Sequence, residues 1–167
     1  SVLISIIICS VDDAKFARIE RNYRNLLVNY SYEIIRIDDA KSLCEGYNRG
    51  IARIKGDYLI LSHDDIEIWT IDFAERLFRH LERCDIVGIA GTNRLVDTEC
   101  DVKIWTLAGW GAAGPAHVFG RVVSTCEQGY LVTNYGMPAA LVEGIKALDG
   151  VFIALRRRVV EALEFDE

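Results

Sequence analysis

The sequence predicts an α/β fold in which a mostly parallel sheet is flanked by helices. Three apolar runs are typical of strands, and the segments between them have helical spacing. A pair of aspartates follows each run, at positions 12, 38 and 64, so successive pairs lie 26 residues apart. Because parallel strands end at one edge of a sheet, six carboxylates are expected at one rim, where such sheets bind ligands. Without backbone donors, a cation or a ligand, they would raise one another's pKa.

Size and composition indicate one globular domain without nucleic-acid partners. The 167 residues are enough for one core, and 51% hydrophobic with 26% charged residues argues against disorder. A net charge of -6 and a pI near 5.1 disfavour binding to a phosphate backbone. We therefore expect a single domain over residues 1–167.

The cysteines and the first apolar run indicate where the chain resides. The five cysteines have no metal-ligand spacing, which favours free thiols in a reducing compartment. The first apolar run is too short to span a membrane and lacks a basic leader. We expect a cytoplasmic protein without an integral membrane segment.

The first strand and helix come from residues 3 to 30. The run Leu3 to Cys9 is apolar almost without alternation, which is typical of a central strand covered on both faces. Apolar residues then recur at helical spacing from Phe16 to Tyr30, with Asp13 as the expected N-cap. These residues form the first βα unit.

The next units follow the same plan. A strand over Glu33 to Ile37 precedes the capping-box sequence that starts with Ser42, and a helix from there ends near Gly56. A third strand spans Tyr58 to Leu61. A helix capped by Asp72 and Glu75 and a fourth strand, Asp85 to Ala90, complete this half.

Beyond residue 93 the composition changes to a glycine-rich stretch without helical periodicity. Short strands over Val118 to Ser124 and Val151 to Leu155 are expected to pair antiparallel to the main sheet. The chain is thus divided at residue 93 into halves 1–93 and 94–167. The cluster Arg156 to Arg158 has two interpretations, a phosphate site or the solvated first turn of a helix.

Two of the aspartate pairs have residue types suited to a binding site. Ser62-His63-Asp64-Asp65 follows a buried strand, and carboxylates there suit Mg²⁺ or Mn²⁺ with phosphate oxygens; the alternative is a capped turn. Asp38-Asp39 can accept hydrogen bonds from a nucleobase N–H or a ribose hydroxyl, or form a turn. Aromatic residues Trp105, Trp110 and Tyr130 suit either an acceptor-sugar platform or ordinary packing.

Several segments, in this order and spacing, resemble the nucleotide-sugar half of GT-A glycosyltransferases of the family 2 type. They are Ser5 to Asp12, Glu33 to Ala40, Tyr47 to Ala52 and Lys55 to Asp65. Two later segments, Leu148 to Arg157 and Phe165-Asp166-Glu167, are similar to the acceptor-side strand, helix and turn of that family. The resemblance implies a Rossmann-like GT-A sheet with a smaller antiparallel acceptor-side region.

The resemblance also implies roles for individual residues. It places Cys9, Ser10, Asp12, Asn48 and Asp64 with the nucleotide, and Asp38 or Asp39 on uracil or ribose. It places the metal at Asp65, with His63 beside it. The expected donor is a nucleotide-diphosphate sugar, a UDP-sugar first, with Mn²⁺ or Mg²⁺ as cofactor. The acceptor is a hydroxyl on a sugar, a lipid-linked sugar or a protein.

Three departures from the family pattern concern the catalytic machinery. Tyr47 stands where the family often has arginine, and His63 stands in an otherwise acidic motif. The resemblance places the general base of inverting members past Glu167, so the chain is expected to be shortened at its C-terminus. Asp166 and Glu167 are the fallback bases, and Asp149 is the expected acceptor contact.

Two alternatives to an active transferase stay open. A truncated, non-catalytic domain would bind the nucleotide sugar without turnover. A phospho-receiver domain also places acidic residues after its first and third strands, where Asp12, Asp13 and Asp64 stand, with Thr92 as its hydroxyl. The receiver lacks support beyond that point, because the Lys-Pro expected after a fifth strand is absent and the chain continues into a glycine- and tryptophan-rich region.

Overall fold

A computed structural model describes residues 2–94, 97–98, 101–102, 115–136, 141–162 and 164–165. The chain forms two compact units, one made of Ser1–Val87 with Gly150–Glu167, the other of Gly88–Asp149. The first unit therefore begins and ends the chain. The expected single domain with a division at residue 93 stays a prediction, whereas the chain passes between the compact units after residue 87 and again after residue 149.

The described elements alternate between strands and helices in the first part of the chain and are mainly strands later. In chain order they are β1 (Leu3–Cys9), α1 (Asp13–Leu26), β2 (Ser31–Ile37), α2 (Leu43–Ile51), β3 (Tyr58–Ser62), α3 (Phe73–Arg83), β4 (Ile86–Gly88), β5 (Ala90–Thr92), β6 (Asp97–Thr98), β7 (Asp101–Val102), a 3-10 turn (Pro115–His117), β8 (Val118–Cys126), β9 (Gly129–Tyr135), β10 (Ala147–Leu148), β11 (Phe152–Arg156) and α4 (Arg157–Val160).

The first sheet has five strands in the order β2-β1-β3-β11-β4. Strand β1 pairs parallel with β2 and β3, so that Ile6 faces Ile34 on one side and Ile60 on the other. Strand β11 returns to this sheet beside β3 in the opposite direction. The expected mostly parallel sheet is therefore correct only for β1 to β3, because the returning strand makes the sheet mixed.

The second unit contains an antiparallel sheet in the order β10-β5-β8-β9. The predicted fourth strand over Asp85 to Ala90 is wrong, because the run divides at Ile89 into β4 and β5, which belong to different sheets. The predicted strand Val118 to Ser124 is present as β8, although it joins this second sheet and not the main one. The antiparallel region expected after the parallel strands is confirmed.

Helices cover both faces of β1. Ile4, Ile6 and Ile8 form one core cluster with residues of α1 and α3. On the opposite face, Gly50 of α2 lies so close to Ile7 that an added Cβ would be 2.5 Å from its Cγ2 atom. Glycine is therefore needed for the close approach of α2 to the sheet. The nearly uninterrupted apolar sequence of β1 reflects this burial on both faces.

Capping residues define where the helices begin. Asp12, not the predicted Asp13, is the N-cap of α1, because its backbone is extended and its Oδ1 accepts from Lys15 N at 2.9 Å. Ser42 caps α2 as predicted, accepting from Glu45 N at 3.0 Å. Asp72 precedes α3 without a side-chain cap and pairs with Arg76 at 2.7 Å.

The basic cluster at residues 156–158 is divided among three partners. Arg156 donates to Leu81 O at 2.6 Å, and Arg157 donates to Lys55 O at 3.1 Å. Arg158 pairs with Asp85 at 2.7 Å. These contacts attach β11 and α4 to the first unit, so the structure does not support the phosphate-site interpretation.

Candidate functional site

The ends of three neighbouring strands lie together at one edge of the first sheet. Strand β1 is between β2 and β3, and all three run in the same direction. The three aspartate pairs that follow these strands therefore gather at one rim, as the spacing predicted. A cleft of about 390 Å³ opens there.

The cleft combines an apolar surface with a few polar groups. Its lining residues are Cys9, Ser10, Val11, Lys15, Ile37, Ala40, Ser42, Leu43 and Asp64. Of the predicted nucleotide ligands, Cys9, Ser10 and Asp64 are among them, whereas Asp12, Asp38, Asp39 and Asn48 are not. An apolar wall beside hydroxyl groups suits a planar ring with polar edges.

Ser10 connects the ends of all three strands. Its backbone N–H donates to Ile37 O at 2.9 Å, and its Oγ lies 2.7 Å from Asp64 Oδ2. The serine is only 4% exposed, so these contacts are shielded from water. A hydroxyl that donates to a carboxylate makes a strong, charge-assisted hydrogen bond. Asp64 is therefore held in one position at the cleft.

Arg36, near the end of β2, stabilises the loop after β1. Its Nε donates to Ser10 O at 3.1 Å, and its Nη2 pairs with Asp13 at 2.7 Å. The guanidinium also lies over the Phe16 ring, 4.6 Å from its centroid. These contacts offset the charge of Asp13 and fix the loop that carries Ser10.

The first aspartate pair is engaged in starting α1. The pKa of Asp12 is lowered, chiefly because its carboxylate accepts from the backbone N–H of Lys15. Backbone donors thus outweigh the desolvation of this carboxylate. A nucleotide contact by Asp12 stays a prediction.

The two carboxylates of the second pair, Asp38 and Asp39, differ in whether they form an ion pair. Asp39 Oδ1 pairs with Arg49 at 2.8 Å, and Arg49 Nε lies 3.0 Å from Glu45 Oε1. Within the described part of the chain, the exposed Asp38 has no such partner. Asp38 is therefore the member of this pair whose carboxylate is available to a ligand.

The third pair includes the candidate metal ligands. His63 Nδ1 lies 3.7 Å from Asp65 Oδ1, and both side chains are accessible, at 35% and 60% exposure. No group of three or more His, Cys, Asp or Glu residues suited to a metal occurs among the residues described. The Asp65 carboxylate is of the ligand type that Mg²⁺ and Mn²⁺ prefer, whereas imidazole is more typical of zinc, copper and iron sites.

Two asparagine side chains hold segments near the rim, and sequence analysis missed this role. Asn22 of α1 makes two hydrogen bonds to the backbone of Ile68, at 2.8 and 3.0 Å, shortly after Asp65. Asn48 of α2 binds the backbone of Phe165 in the same way, at 2.8 and 2.9 Å. The Asn48 amide therefore orders the chain near its end, and its nucleotide role stays a prediction. The two contacts span 46 and 117 residues, so no local pattern could have indicated them.

Tyr47 occupies the position where an arginine was expected. It is 1% exposed, and its hydroxyl donates to Gly150 O at 3.1 Å. Its ring lies 6.0 Å from that of Phe165, measured between centroids. The tyrosine is thus part of the packing of the first unit and does not provide a charge.

Cys9 contributes a neutral thiol to the cleft. Burial, reinforced by the nearby Glu45 carboxylate, raises the pKa of Cys9 to about 11. The thiol is therefore protonated at physiological pH. Cys9, Cys44, Cys84 and Cys126 are all free, in agreement with the expectation for these four.

The structure does not place the remaining predicted residues at the cleft. Asp166, Glu167, Trp105 and Trp110 are outside the described residues. Asp149 belongs to the second unit, where its backbone N–H donates to Ala90 O at 2.9 Å.

The fold and the rim agree with the result of comparing the chain with known families. A model described as a glycosyltransferase-like family matches residues 5–167. The chain belongs to this family. The same chain matches no curated protein. The resemblance to family 2-type glycosyltransferases is thereby confirmed, and the match supports glycosyl transfer in general, with a nucleotide-sugar donor and an acceptor.

Family membership argues against a phospho-receiver domain. Thr92, the hydroxyl expected in such a domain, is buried in the second unit, where its Oγ1 lies 2.8 Å from His117 O. Among the residues described for this glycosyltransferase-like chain, no helix has the length and apolarity required to cross a bilayer.

Proposed function

We propose that this chain is a metal-dependent glycosyltransferase that moves a sugar from a nucleotide-diphosphate donor, a UDP-sugar first, to a hydroxyl acceptor. The observation that carries the proposal is the cleft at the ends of β1 to β3, with accessible Asp38 and Asp65 at the same rim. Family membership supplies the reaction class, and the rim supplies the residues.

The nucleoside would bind in the cleft. A base ring would pack on the apolar side chains of Ile37, Ala40 and Leu43, with Ser10 and Ser42 near its polar edges. Asp38, which follows β2 directly, would accept a hydrogen bond from a base N–H or a ribose hydroxyl. Burial of the apolar surface would give affinity, and the polar groups would give orientation.

The diphosphate would lie towards the end of β3. Asp65 and His63 would hold Mn²⁺ or Mg²⁺ there together with phosphate oxygens. A bound cation would stabilise the negative charge that develops on the departing nucleoside diphosphate. Ser10 keeps Asp64 in place at the neighbouring position through the 2.7 Å hydrogen bond, so the turn is preorganised.

The acceptor side of the reaction needs a hydroxyl contact and a base. Asp149 remains our candidate for the contact, and Asp166 and Glu167 remain candidates for the base. Each carboxylate is of the right chemical type to receive the proton of an attacking hydroxyl.

Ligand-induced thermal stabilisation tests the donor site. UDP at about 100 times its Kd, with Mn²⁺, should raise the melting temperature by roughly 5–10 °C. Asp65→Asn should remove the Mn²⁺-dependent part of this shift. The matched control is Glu82→Gln, which neutralises an exposed carboxylate of α3 and should behave as the wild type. If UDP, GDP, ADP and dTDP all fail to stabilise the wild type, the proposal is wrong.

Release of UDP tests turnover separately from binding. Incubation with UDP-sugars should release UDP slowly to water and faster with a suitable hydroxyl acceptor. Stabilisation by UDP-sugar and Mn²⁺ without any release would instead support the binding-only alternative.

A further inference from the structure

Lys15 places a cationic side chain at the cleft. It is the third residue of α1, three positions after the cap Asp12, and its side chain is partly buried. It is the one basic residue among those that line the cleft. Its backbone N–H bonds to Asp12, which leaves the ammonium group out of the helix cap.

The ammonium group of Lys15 forms no ion pair within the described part of the chain, although its charge contributes to lowering the pKa of Asp12. The arginines nearest the rim differ in this respect, since Arg36 pairs with Asp13 and Arg49 pairs with Asp39. A cation in the first turn of a helix is disfavoured by the helix dipole, so the helix itself gives no reason for a lysine there. Lys15 is therefore available to an anionic ligand.

A phosphate group in this cleft would gain from a protein cation in addition to the metal proposed at Asp65. Asp64 already places a carboxylate in the lining, and phosphate oxygens close to it would be repelled. Helix α2 does not supply an uncompensated charge, because the position expected to hold arginine is the buried Tyr47 and its Arg49 pairs with Asp39 and Glu45.

We propose that Lys15 binds a phosphate group of the donor nucleoside diphosphate, in place of a cation from α2. The inference rests on the proposed function and adds a specific phosphate contact to it. A lysine ammonium is a compact charge with three donors, suited to phosphate oxygens whose exact position varies. The contact would bind the phosphate without touching the base.

Comparison of UDP with uridine tests this contact, because only UDP carries phosphate. Lys15→Met should weaken UDP binding about tenfold or more, as expected for loss of a charge-assisted hydrogen bond. Its uridine affinity, measured by ligand-observed NMR, should stay within about twofold of the wild type by the same argument. Lys15→Arg should restore most of the UDP affinity.

Lys55→Met is the matched control. Lys55 is exposed and is not among the residues that line the cleft, and its backbone N–H donates to the Glu33 side chain. UDP binding should therefore be unchanged. Lys15→Gln repeats the test if the methionine variant does not fold. The Lys15 contact is refuted if Lys15→Met and Lys15→Gln bind UDP as the wild type does. It is also refuted if these two variants lose affinity for UDP and for uridine equally. Failure of the wild type to bind UDP would refute the donor site itself.

Discussion

Strands β1 and β9 have the same length of seven residues but very different surroundings. The five central residues of β1 are buried, and the strand has parallel neighbours on both sides. Strand β9 is the last strand of its sheet, and its Tyr130, Leu131 and Val132 are exposed. The strand that is both richer in apolar residues and flanked on both sides is thus the buried one, and the edge strand is exposed.

The difference bears on where the candidate site lies. The cleft is at the end of the buried strands of the first unit, where packing on both faces holds the backbone. A binding site needs side chains held in fixed positions, which rigid elements provide. The second unit has only Ala90 and Val118 as buried apolar residues among those described.

The largest effect should come from truncating one side chain in each of these strands. Ile6→Ala in β1 removes a fully buried side chain and should lower the free energy of unfolding by about 2–5 kcal/mol. Val132→Ala in β9, where the valine is 51% exposed, should change it by less than about 1 kcal/mol. Denaturant unfolding of both variants measures the difference. Equal losses would contradict the contrast in burial.

The next largest expected effect is a difference in thiol reactivity between Cys9 in the first unit and Cys126 in the second. The raised pKa of about 11 leaves Cys9 with roughly a hundredfold less thiolate at pH 8 than a thiol with the ordinary pKa of 9.0 would have. Cys126 in β8 is exposed. Iodoacetamide followed by peptide mass spectrometry should therefore show much faster alkylation of Cys126. Similar rates would mean that Cys9 is not shielded.

The same shift gives a pH dependence of stability. Because the folded-state pKa of Cys9 exceeds the unfolded value of about 9, the unfolded chain releases this proton first as the pH rises. The contribution of the Cys9 thiol to the free energy of unfolding is fully present below pH 9 and is lost between about pH 9 and 11. A Cys9→Ala variant should lack that part of the alkaline decrease in the free energy of unfolding.

A smaller effect is expected where α2 approaches β1. Gly50→Ala improves helix propensity by roughly 1 kcal/mol, but its Cβ would collide with Ile7. We expect a net loss of about 1–3 kcal/mol from overpacking, measured by denaturant unfolding. An increase in stability would show that the helix can move away from the sheet without cost.

The smallest effect concerns a buried hydroxyl in the first unit. Tyr23 Oη is buried without an aligned hydrogen bond, so Tyr23→Phe should be neutral or slightly stabilising. Tyr47→Phe, which removes the donor to Gly150 O, should instead cost about 1 kcal/mol. Melting temperatures compare the two variants. A larger loss for Tyr23→Phe would reveal a hydrogen bond at Tyr23.

Local patterns in the sequence predicted the first unit well. The uninterrupted apolar run of β1 indicated a covered central strand, and the repeated aspartates indicated a shared rim. The capping sequence at Ser42 marked the start of α2. Each of these features depends on residues that are close in sequence.

Features that depend on distant contacts were predicted only in part. The expected antiparallel pairing of Val151 to Leu155 with the main sheet is confirmed by β11. Its place beside β3 and the division of the fourth run at Ile89 are set by the pairing of segments far apart in the chain. The position of Lys15 at the cleft depends on the direction of α1 relative to the strand ends, which the spacing of residues in the sequence does not give. Asn22 and Asn48 act through contacts of the same long-range kind.

A crystal structure with UDP and Mn²⁺ tests the central claim most directly. We predict that the uracil lies against Ile37, Ala40 and Leu43, and that an anomalous manganese peak lies about 2–2.3 Å from a carboxylate oxygen of Asp65. The nucleotide bound outside this cleft, or manganese held by other residues, would contradict the assignment of the rim as the donor site.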